Sequence, residues 1–341
     1  MNITHPLLLA MLALTAALPA PPADAATPSL RSPVVRTLTP AEASAVDGLA
    51  TVPQVDLNLR ASAAVAVSAW QRSGDDGQVE HRRQVQRSNL GVNAAVYASV
   101  PHTNAPLLPG TQVQPHLFDF QDTGDSVQAW ATMTAQGVPH LFVQGFGEFQ
   151  ADATASWTGR FTLGGTTSRE VVLRFMVPPT KVSGDTEADG PAWWRARMRT
   201  DVLVNGFPAW STEALRMRAD FVKAGTGPDA VALPVLQTFG DPLDFPTNDE
   251  DGVKGNDGVA GTIEHPASAR WVHLSLGRWM PGQSIELSMI VRGTAYTEPP
   301  TPSRPGRRCE ENLAEPGKFF CSRAGMAVQM GNAAPTITLL P

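Results

Sequence analysis

The residues best suited to metal binding lie in one acidic, glycine-rich stretch, residues 241–261. Carboxylate and amide oxygens in a tightly curved loop are the ligands that calcium prefers. The D-x-D-G spacing that begins at Asp249 resembles the middle of a calcium loop, although Gly258 stands where an EF-hand needs its bidentate glutamate. The alternative is a solvated acidic turn, since the same residue types form turns. If calcium is the cofactor, we expect its ligands to be Asp249, Asp251, Asn256 and Asp257.

Two tryptophans are candidates for binding a sugar. The chain has eight tryptophans and only two tyrosines, and the apolar face of a sugar ring stacks well on an exposed indole. Trp193 and Trp271 fall on the polar faces of their predicted strands, so we take them as the candidate ligand-binding residues. The alternative for both is that a second sheet or a loop covers them.

An arginine stripe follows Trp193 at every second position, at Arg195, Arg197 and Arg199. In a strand these side chains share one face. We interpret the stripe as a solvated face that pairs with acidic residues of a neighbouring strand, in preference to an anion-binding site.

The sequence carries none of the common catalytic motifs, such as a nucleophile elbow, a zinc-protease helix or a phosphate-binding loop. Its histidines are scattered singly, which predicts surface or strand-edge positions. A glycosidase needs two carboxylates across a cleft, and four glutamates in or beside predicted strands could supply them: Glu148, Glu170, Glu264 and Glu286. Nothing in the sequence selects a pair, so no catalytic residue is assigned.

The two cysteines, Cys309 and Cys321, are the only ones in the chain. A lone pair in an exported protein is most simply a disulfide, because oxidising compartments favour one. We therefore predict that this bond closes the turn-rich segment between them.

Residues 1–25 have the features of a cleavable secretory signal. Their apolar core, residues 7–18, is too short to cross a membrane, and a small-x-small site follows it at Ala23–Ala25. We expect a periplasmic or extracellular protein with no transmembrane segment in the mature chain. The net charge of −6 argues against a nucleic-acid partner, which would need a basic surface.

Alternation with a period of two residues dominates the chain from residue 53 onward and predicts strands with one buried face. The clearest strand spans residues 153–163. A Gly-Gly turn and an apolar return strand over 170–177 follow it, which predicts a hairpin. Residues 193–204 and 284–291 show the same alternation. The only helix signal is Thr39-Pro40, ahead of a short alanine-rich segment.

These elements predict an all-β fold, a jelly-roll-like antiparallel β-sandwich. We divide the chain into the signal peptide (1–25), a flexible leader (26–52) and the sandwich (53–341). Within the sandwich, residues 53–135 either add strands to the same body or form a smaller first sheet beside a core over residues 136–341.

Residues 151–165 (ADATASWTGRFTLGG) and 171–175 (VVLRF) give the sequence a recognisable pattern. It resembles that of uncharacterised secreted bacterial β-sandwich proteins of the PEP-CTERM (exosortase) sorting class. The resemblance implies a sandwich fold and transfers no catalytic residue. The end of the chain, residues 332–341, departs from the class, because it has no sorting motif, apolar helix or basic tail.

We therefore expect an exported, non-enzymatic β-sandwich that acts as a binding or surface- and matrix-associated module, with carbohydrate as the candidate ligand. The alternative is a secreted carbohydrate-active hydrolase or lyase that uses carboxylates and depends on calcium. A third possibility is a structural subunit whose edge strands pair with partners, with an oligomeric state that the sequence leaves open.

Overall fold

In a computed structural model, the described part of the chain belongs to one compact unit that begins at Val34. The description covers residues 35–48, 54–55, 57–73, 79–100, 126–146, 149–177, 179–185, 193–218, 234–240, 261–264, 270–298, 309–311, 319–321, 323–328 and 334–341. Within these ranges there are twenty strands and one helix.

Three antiparallel sheets make up most of this unit, with strands numbered in chain order and ordered in space as follows. The seven-stranded sheet consists of β13 (Pro234–Gly240), β12 (Phe207–Arg218), β11 (Trp193–Val204), β16 (Ser284–Glu298), β8 (Phe149–Thr162), β3 (Asn58–Ser73) and β4 (Val79–Gly91). The six-stranded sheet consists of β14 (Gly261–Glu264), β10 (Thr180–Asp185), β19 (Arg323–Val328), β7 (Pro139–Phe146), β6 (Ser126–Met133) and β5 (Ala94–Val100).

The five-stranded sheet consists of β1 (Arg36–Thr37), β15 (Arg270–Trp279), β9 (Arg169–Val177), β20 (Thr336–Leu340) and β2 (Gln54–Val55). A separate pair joins β17 (Cys309–Glu311) to β18 (Phe319–Cys321). Residues 53–135, for which the sequence left open either added strands or a smaller first sheet, supply strands to all three large sheets, at β2, β3, β4, β5 and β6.

The core lies between the sheets, where apolar residues from the inward faces of the strands meet in one cluster. Trp157 in β8 and Leu141 in β7 are both fully buried there. On the five-stranded sheet, Phe175 packs edge-on against Trp210 of β12, with ring centroids 5.1 Å apart. The predicted all-β sandwich is thus confirmed, and β8 buries alternate residues along its length, as its period-two pattern predicted.

The predicted hairpin over residues 153–177 is wrong. β8 pairs with β16 and β3 in the seven-stranded sheet, whereas β9 pairs with β15 and β20 in the five-stranded sheet. The chain crosses from one sheet to the other through Gly164 and Gly165, which lie in an exposed turn. After the crossing, β8 and β9 both direct their apolar faces into the same core. Two paired strands of one sheet would do the same. Alternation of apolar residues therefore cannot distinguish a hairpin from a crossing between sheets.

A tight hairpin joins β11 to β12 instead. Its two turn residues, Asn205 and Gly206, have positive φ angles of 52° and 81°, as expected for the turn type that suits the twist of paired strands. The Asn205 side chain also accepts a hydrogen bond from the backbone N–H of Glu286 at 2.8 Å, which fixes the turn to the start of β16.

The helix signal at Thr39-Pro40 is confirmed by α1 (Pro40–Asp47). Thr39 caps it, and Glu42 completes the capping box by accepting a hydrogen bond from the Thr39 backbone at 2.9 Å. Within the predicted leader, α1 and β1 pack on the five-stranded sheet, since β1 pairs with β15. No helix in the described ranges is long and apolar enough to cross a membrane.

Candidate functional site

The outer face of the seven-stranded sheet, opposite the core, carries mostly polar side chains on β8, β11 and β16. Hydroxyl side chains form cross-strand pairs between β8 and β16, at Thr158–Ser288 (Oγ1 to Oγ, 3.0 Å) and Thr162–Ser284 (2.8 Å). Because strand residues alternate between faces, these hydroxyls share the face with the arginines of β11.

Three arginines converge on two carboxylates where β11, β12 and β16 lie side by side. Arg199 holds Asp201 through its Nε at 2.9 and 3.0 Å, and Arg292 Nη1 donates to the same carboxylate at 2.9 Å. Arg197 Nη2 donates to Glu213 at 2.6 Å, and Arg199 Nη1 donates to Glu213 at 3.4 Å. We call these five residues the arginine cluster.

The carboxylates of the arginine cluster are buried, while its guanidinium groups reach solvent. The side chains of Asp201 and Glu213 are 8% and 10% exposed, against 31%, 39% and 48% for Arg197, Arg199 and Arg292. Hydrogen bonding to Asp201 raises the pKa of Arg199, so this guanidinium stays charged. Three positive charges face two negative ones, which leaves the cluster with a net charge of +1.

Arg195, next along the stripe, adds a further positive charge beside the arginine cluster. The Nε atoms of Arg195 and Arg197 are buried and have no hydrogen-bond partner. Part of each guanidinium is therefore already out of contact with water, a state that is costly for a polar group without a partner.

The described side chains of the outer face carry a net positive charge, although the chain is acidic. Among residues whose side chains are described, strand register places six arginines and four carboxylates on it, a net charge of +2 against −6 for the full sequence. They are Arg60, Arg160, Arg195, Arg197, Arg199, Arg292, Asp152, Asp201, Glu213 and Glu286.

Asp152 lies on β8 in line with Arg197, with Thr294 of β16 between them. Burial raises the pKa of Asp152, and the hydrogen bond from Gln150 Nε2 at 3.4 Å lowers it by less. This carboxyl therefore takes up a proton more readily than an exposed aspartate does.

Trp271 lies on β15, in a different cluster on the five-stranded sheet. The guanidinium carbon of Arg174 is 3.7 Å from the centre of its ring, so a cation covers one face of this predicted sugar-binding indole. Arg174 Nε is 3.4 Å from Asp47 Oδ1 at the end of α1, and His273 Nε2 is 2.9 Å from the same oxygen. This cluster holds α1 on the sheet.

The other predicted ligand residues are placed only in part. Trp193 begins β11, two residues before Arg195, and its side chain is outside the described part of the chain. The predicted calcium ligands Asp249, Asp251, Asn256 and Asp257 lie outside the described residues. Within those residues, no group of three or more His, Cys, Asp or Glu side chains is placed to hold a metal ion.

The backbone register places Cys309 directly opposite Cys321 in the β17–β18 pair. Cross-strand neighbours have the Cα separation that a disulfide requires. The predicted bond is compatible with this register and stays a prediction.

The glutamates that could form a catalytic pair are not brought together where they are described. Glu170 accepts a hydrogen bond from Ser275 Oγ at 2.7 Å on the five-stranded sheet. Glu286 is paired with Arg160 at 2.8 Å on the outer face of the seven-stranded sheet. The side chains of Glu148 and Glu264 lie outside the described set.

Sequence reasoning missed three members of the arginine cluster, namely Asp201, Glu213 and Arg292. Asp201 continues the alternation of the arginine stripe and could have been assigned to the same face. Arg292 follows directly on the predicted strand 284–291. Glu213 is the cross-strand acid that the stripe was expected to have, and that expectation is confirmed.

The expectation that the histidines lie at surfaces and strand edges is wrong for His273, which is 5% exposed in a central strand. His140 on β7 is half-buried, and its ring lies 4.2 Å from that of Trp130. Its Nδ1 is buried without a hydrogen-bond partner, and so is Oγ1 of Thr132, the residue opposite it on β6. Burial lowers the pKa of His140 from 6.5 to about 4.

This shift predicts that acid destabilises the protein through His140. Between pH 6.5 and 4 the unfolded chain binds a proton that the folded chain does not, so the free energy of unfolding falls as the pH drops through this window. We expect the protonation of His140 in the unfolded chain to lower the free energy of unfolding by on the order of 2 kcal/mol at about pH 4. Denaturant unfolding at neutral pH and near the lower end of this window should show a smaller acid-induced loss for His140→Gln than for the unchanged protein. Equal losses in both proteins would contradict the prediction.

No protein-family model matches this chain, and the comparison with curated proteins finds no similar sequence. The resemblance to the PEP-CTERM class therefore stays a prediction.

Proposed function

We propose that the protein is an exported, non-enzymatic binding module that recognises carbohydrate on the outer face of its seven-stranded sheet. The observation that carries the proposal is the arginine cluster, an ordered set of guanidinium donors on an exposed sheet face. Sugars are recognised through hydrogen bonds from side chains held in place before binding, which limits the entropy lost when the ligand arrives.

Two features of the face support this proposal. The buried carboxylates fix the guanidinium groups of Arg197, Arg199 and Arg292, so these long side chains have less freedom to lose on binding. The hydroxyl pairs between β8 and β16 extend the same polar surface along the strands, and they give a chain-like ligand further donors and acceptors.

A panel of soluble polysaccharides, neutral and acidic, tests the function by affinity electrophoresis and calorimetry. We expect at least one glycan to bind, and its affinity to fall in Arg292→Gln. Absence of binding across the panel, with the protein folded, would overturn the proposal. Turnover of a bound glycan, seen as new reducing ends or unsaturated products, would favour the hydrolase or lyase alternative instead.

Export and the disulfide are proposed together, because both concern the compartment in which the chain folds. Expressed with residues 1–25 in a bacterial host, the protein should be recovered outside the cytoplasm with Ala26 as its first residue. Its intact mass should be lower by the two thiol hydrogens, and neither Cys309 nor Cys321 should react with a thiol reagent before reduction. Without residues 1–25 the thiols should stay reduced. Free thiols in exported protein would contradict the disulfide, and an intact N-terminus would contradict the signal peptide.

A further inference from the structure

We infer that the ligand of the arginine cluster is an acidic glycan, recognised through the carboxylate of a uronic acid unit. This inference rests on the proposed carbohydrate-binding function and names its ligand class. Three observations support it: the net charge of the cluster, the guanidinium donors that remain unbonded, and the shielding of the cluster from water.

The charge of the arginine cluster is unbalanced. Three guanidinium groups share the carboxylates of Asp201 and Glu213, and Arg195 stands beside them without a described acidic partner. An anion placed over the cluster would balance this charge, whereas a neutral sugar would leave it unchanged. The net positive charge of the described side chains on this face also attracts anions to it.

The guanidinium donors of the cluster have a geometry that matches a carboxylate. Each guanidinium has five N–H donors in a planar fork, and the bonds to Asp201 and Glu213 occupy only some of them. A planar carboxylate matches two parallel donors of such a fork, which makes arginine the preferred residue for binding it. The remaining donors of Arg197 and Arg292 therefore suit a ligand carboxylate, with sugar hydroxyls bonded beside it.

The cluster is already partly shielded from water in the free protein. Asp201 and Glu213 are buried beneath the arginines, and the Nε atoms of Arg195 and Arg197 are out of water without a partner. Removing water from a charged group opposes most ion pairing. In the arginine cluster, folding has already removed part of this water. Less desolvation free energy therefore opposes the binding of an external anion.

A glycan fits this face better than a nucleic acid does. The acidic side chains of Asp201, Glu213 and Asp152 leave this face with only a small net positive charge, whereas the closely spaced phosphates of a nucleic acid require a continuous basic surface. A uronate chain carries hydroxyl groups between its charges, and two threonines of the face, Thr294 and Thr154, lie in register with Arg197 and Arg292. Single-stranded DNA is therefore included in the test as a competing polyanion.

The test uses a matched pair of probes on the full mature protein, a galacturonate trisaccharide and its fully methyl-esterified form. The two have the same rings and hydroxyls, and the ester replaces each charged carboxylate with an uncharged methyl ester. We expect calorimetry to detect the acid and not the ester, with an affinity that weakens as salt rises because the contact is electrostatic. The longer glycans of the panel test the function separately, so binding of neutral glycans equal to that of acidic ones would keep the function and overturn this inference.

The variants are Arg292→Gln in the cluster and Arg160→Gln as its control. Both arginines lie on the same outer face, and each donates to one carboxylate at a similar distance, 2.9 Å to Asp201 and 2.8 Å to Glu286. Arg160 is six residues along β8 from Thr154, the residue in register with Arg292. That separation is roughly 20 Å along the strand, beyond the reach of a trisaccharide bound at Arg292. We expect a loss of about 10-fold or more in Arg292→Gln and no change in Arg160→Gln.

The outcomes separate cleanly, provided that thermal unfolding confirms the fold of each variant. Acid-specific binding that weakens in Arg292→Gln alone supports the inference. Equal weakening in both variants would indicate a general charge effect and overturn the assigned site. If Arg292→Gln binds normally, Arg197→Gln gives a second reading, and normal binding there too would overturn it. Binding of single-stranded DNA as tight as that of the trisaccharide would replace the glycan with a general polyanion.

Discussion

Phe149→Ala is expected to lower the free energy of unfolding by about 3–5 kcal/mol, the range for truncating a fully buried aromatic side chain. Phe149 is 1% exposed at the start of β8. Its ring packs on Gly145 of β7, where even a methyl group would come within 2.5 Å of the ring carbons. Because the ring fills the space that the glycine leaves, its removal opens a cavity between the two larger sheets that neighbouring backbone cannot close.

Phe207→Ala is the matched control, since it removes the same atoms from a side chain that is 75% exposed. Its effect should lie within about 0.5 kcal/mol, as for most surface substitutions. Denaturant unfolding of the two variants and the parent measures both values. Similar losses in the two variants would mean that Phe149 does not pack between the sheets as described.

The faces of the strands could be predicted from the sequence, because alternation is a local property. Ala153, Ala155 and Trp157 all lie in the core, on the face that the pattern assigned to them. The same local reading placed Arg195, Arg197 and Arg199 together on the opposite face. These predictions need no knowledge of which strand lies beside which.

Strand partners could not be predicted in the same way, because pairing depends on contacts between distant residues. β8 was expected to pair with β9, its successor in the chain, but its neighbours are β16 and β3. A Gly-Gly turn permits both a hairpin and a crossing between sheets. The hairpin from β11 to β12 was a missed local signal, since Asn205-Gly206 is the dipeptide that such turns prefer.

The site shows the same division between local and distant information. The arginine stripe was visible in the sequence, and so was Asp201, two residues further along β11. The contact that completes the arginine cluster joins Asp201 to Arg292, 91 positions away. It follows from the register of β11 on β16, which a single sequence does not specify. The stripe was therefore interpreted as ordinary surface, without the converging charges that suggest a ligand.

The role of Asp201 gives the second large effect. Asp201→Asn keeps the size of the side chain and removes its charge, which leaves Arg199 and Arg292 without the anion that both contact. Hydrogen bonds between charged groups are worth more than neutral ones, and breaking a buried pair leaves the remaining charges uncompensated. Since the arginines are partly exposed, we expect a loss of about 2–4 kcal/mol in the free energy of unfolding, below the range for a fully buried pair.

Glu286→Gln is the matched control, because it makes the same change on the same face. Glu286 is 39% exposed and its partner Arg160 is 68% exposed, so the pair is screened by water and should contribute less than about 1 kcal/mol. Unfolding is measured at low and at high salt. High salt should reduce the small loss of stability in Glu286→Gln and should leave most of the loss in Asp201→Asn, because the carboxylate of Asp201 is shielded from ions. Equal, salt-sensitive losses in both variants would mean that the arginine cluster is an ordinary surface network. A large, salt-resistant loss in Asp201→Asn alone would mean that the buried carboxylate fixes the arginines before any ligand arrives, which is the property the proposed binding face requires.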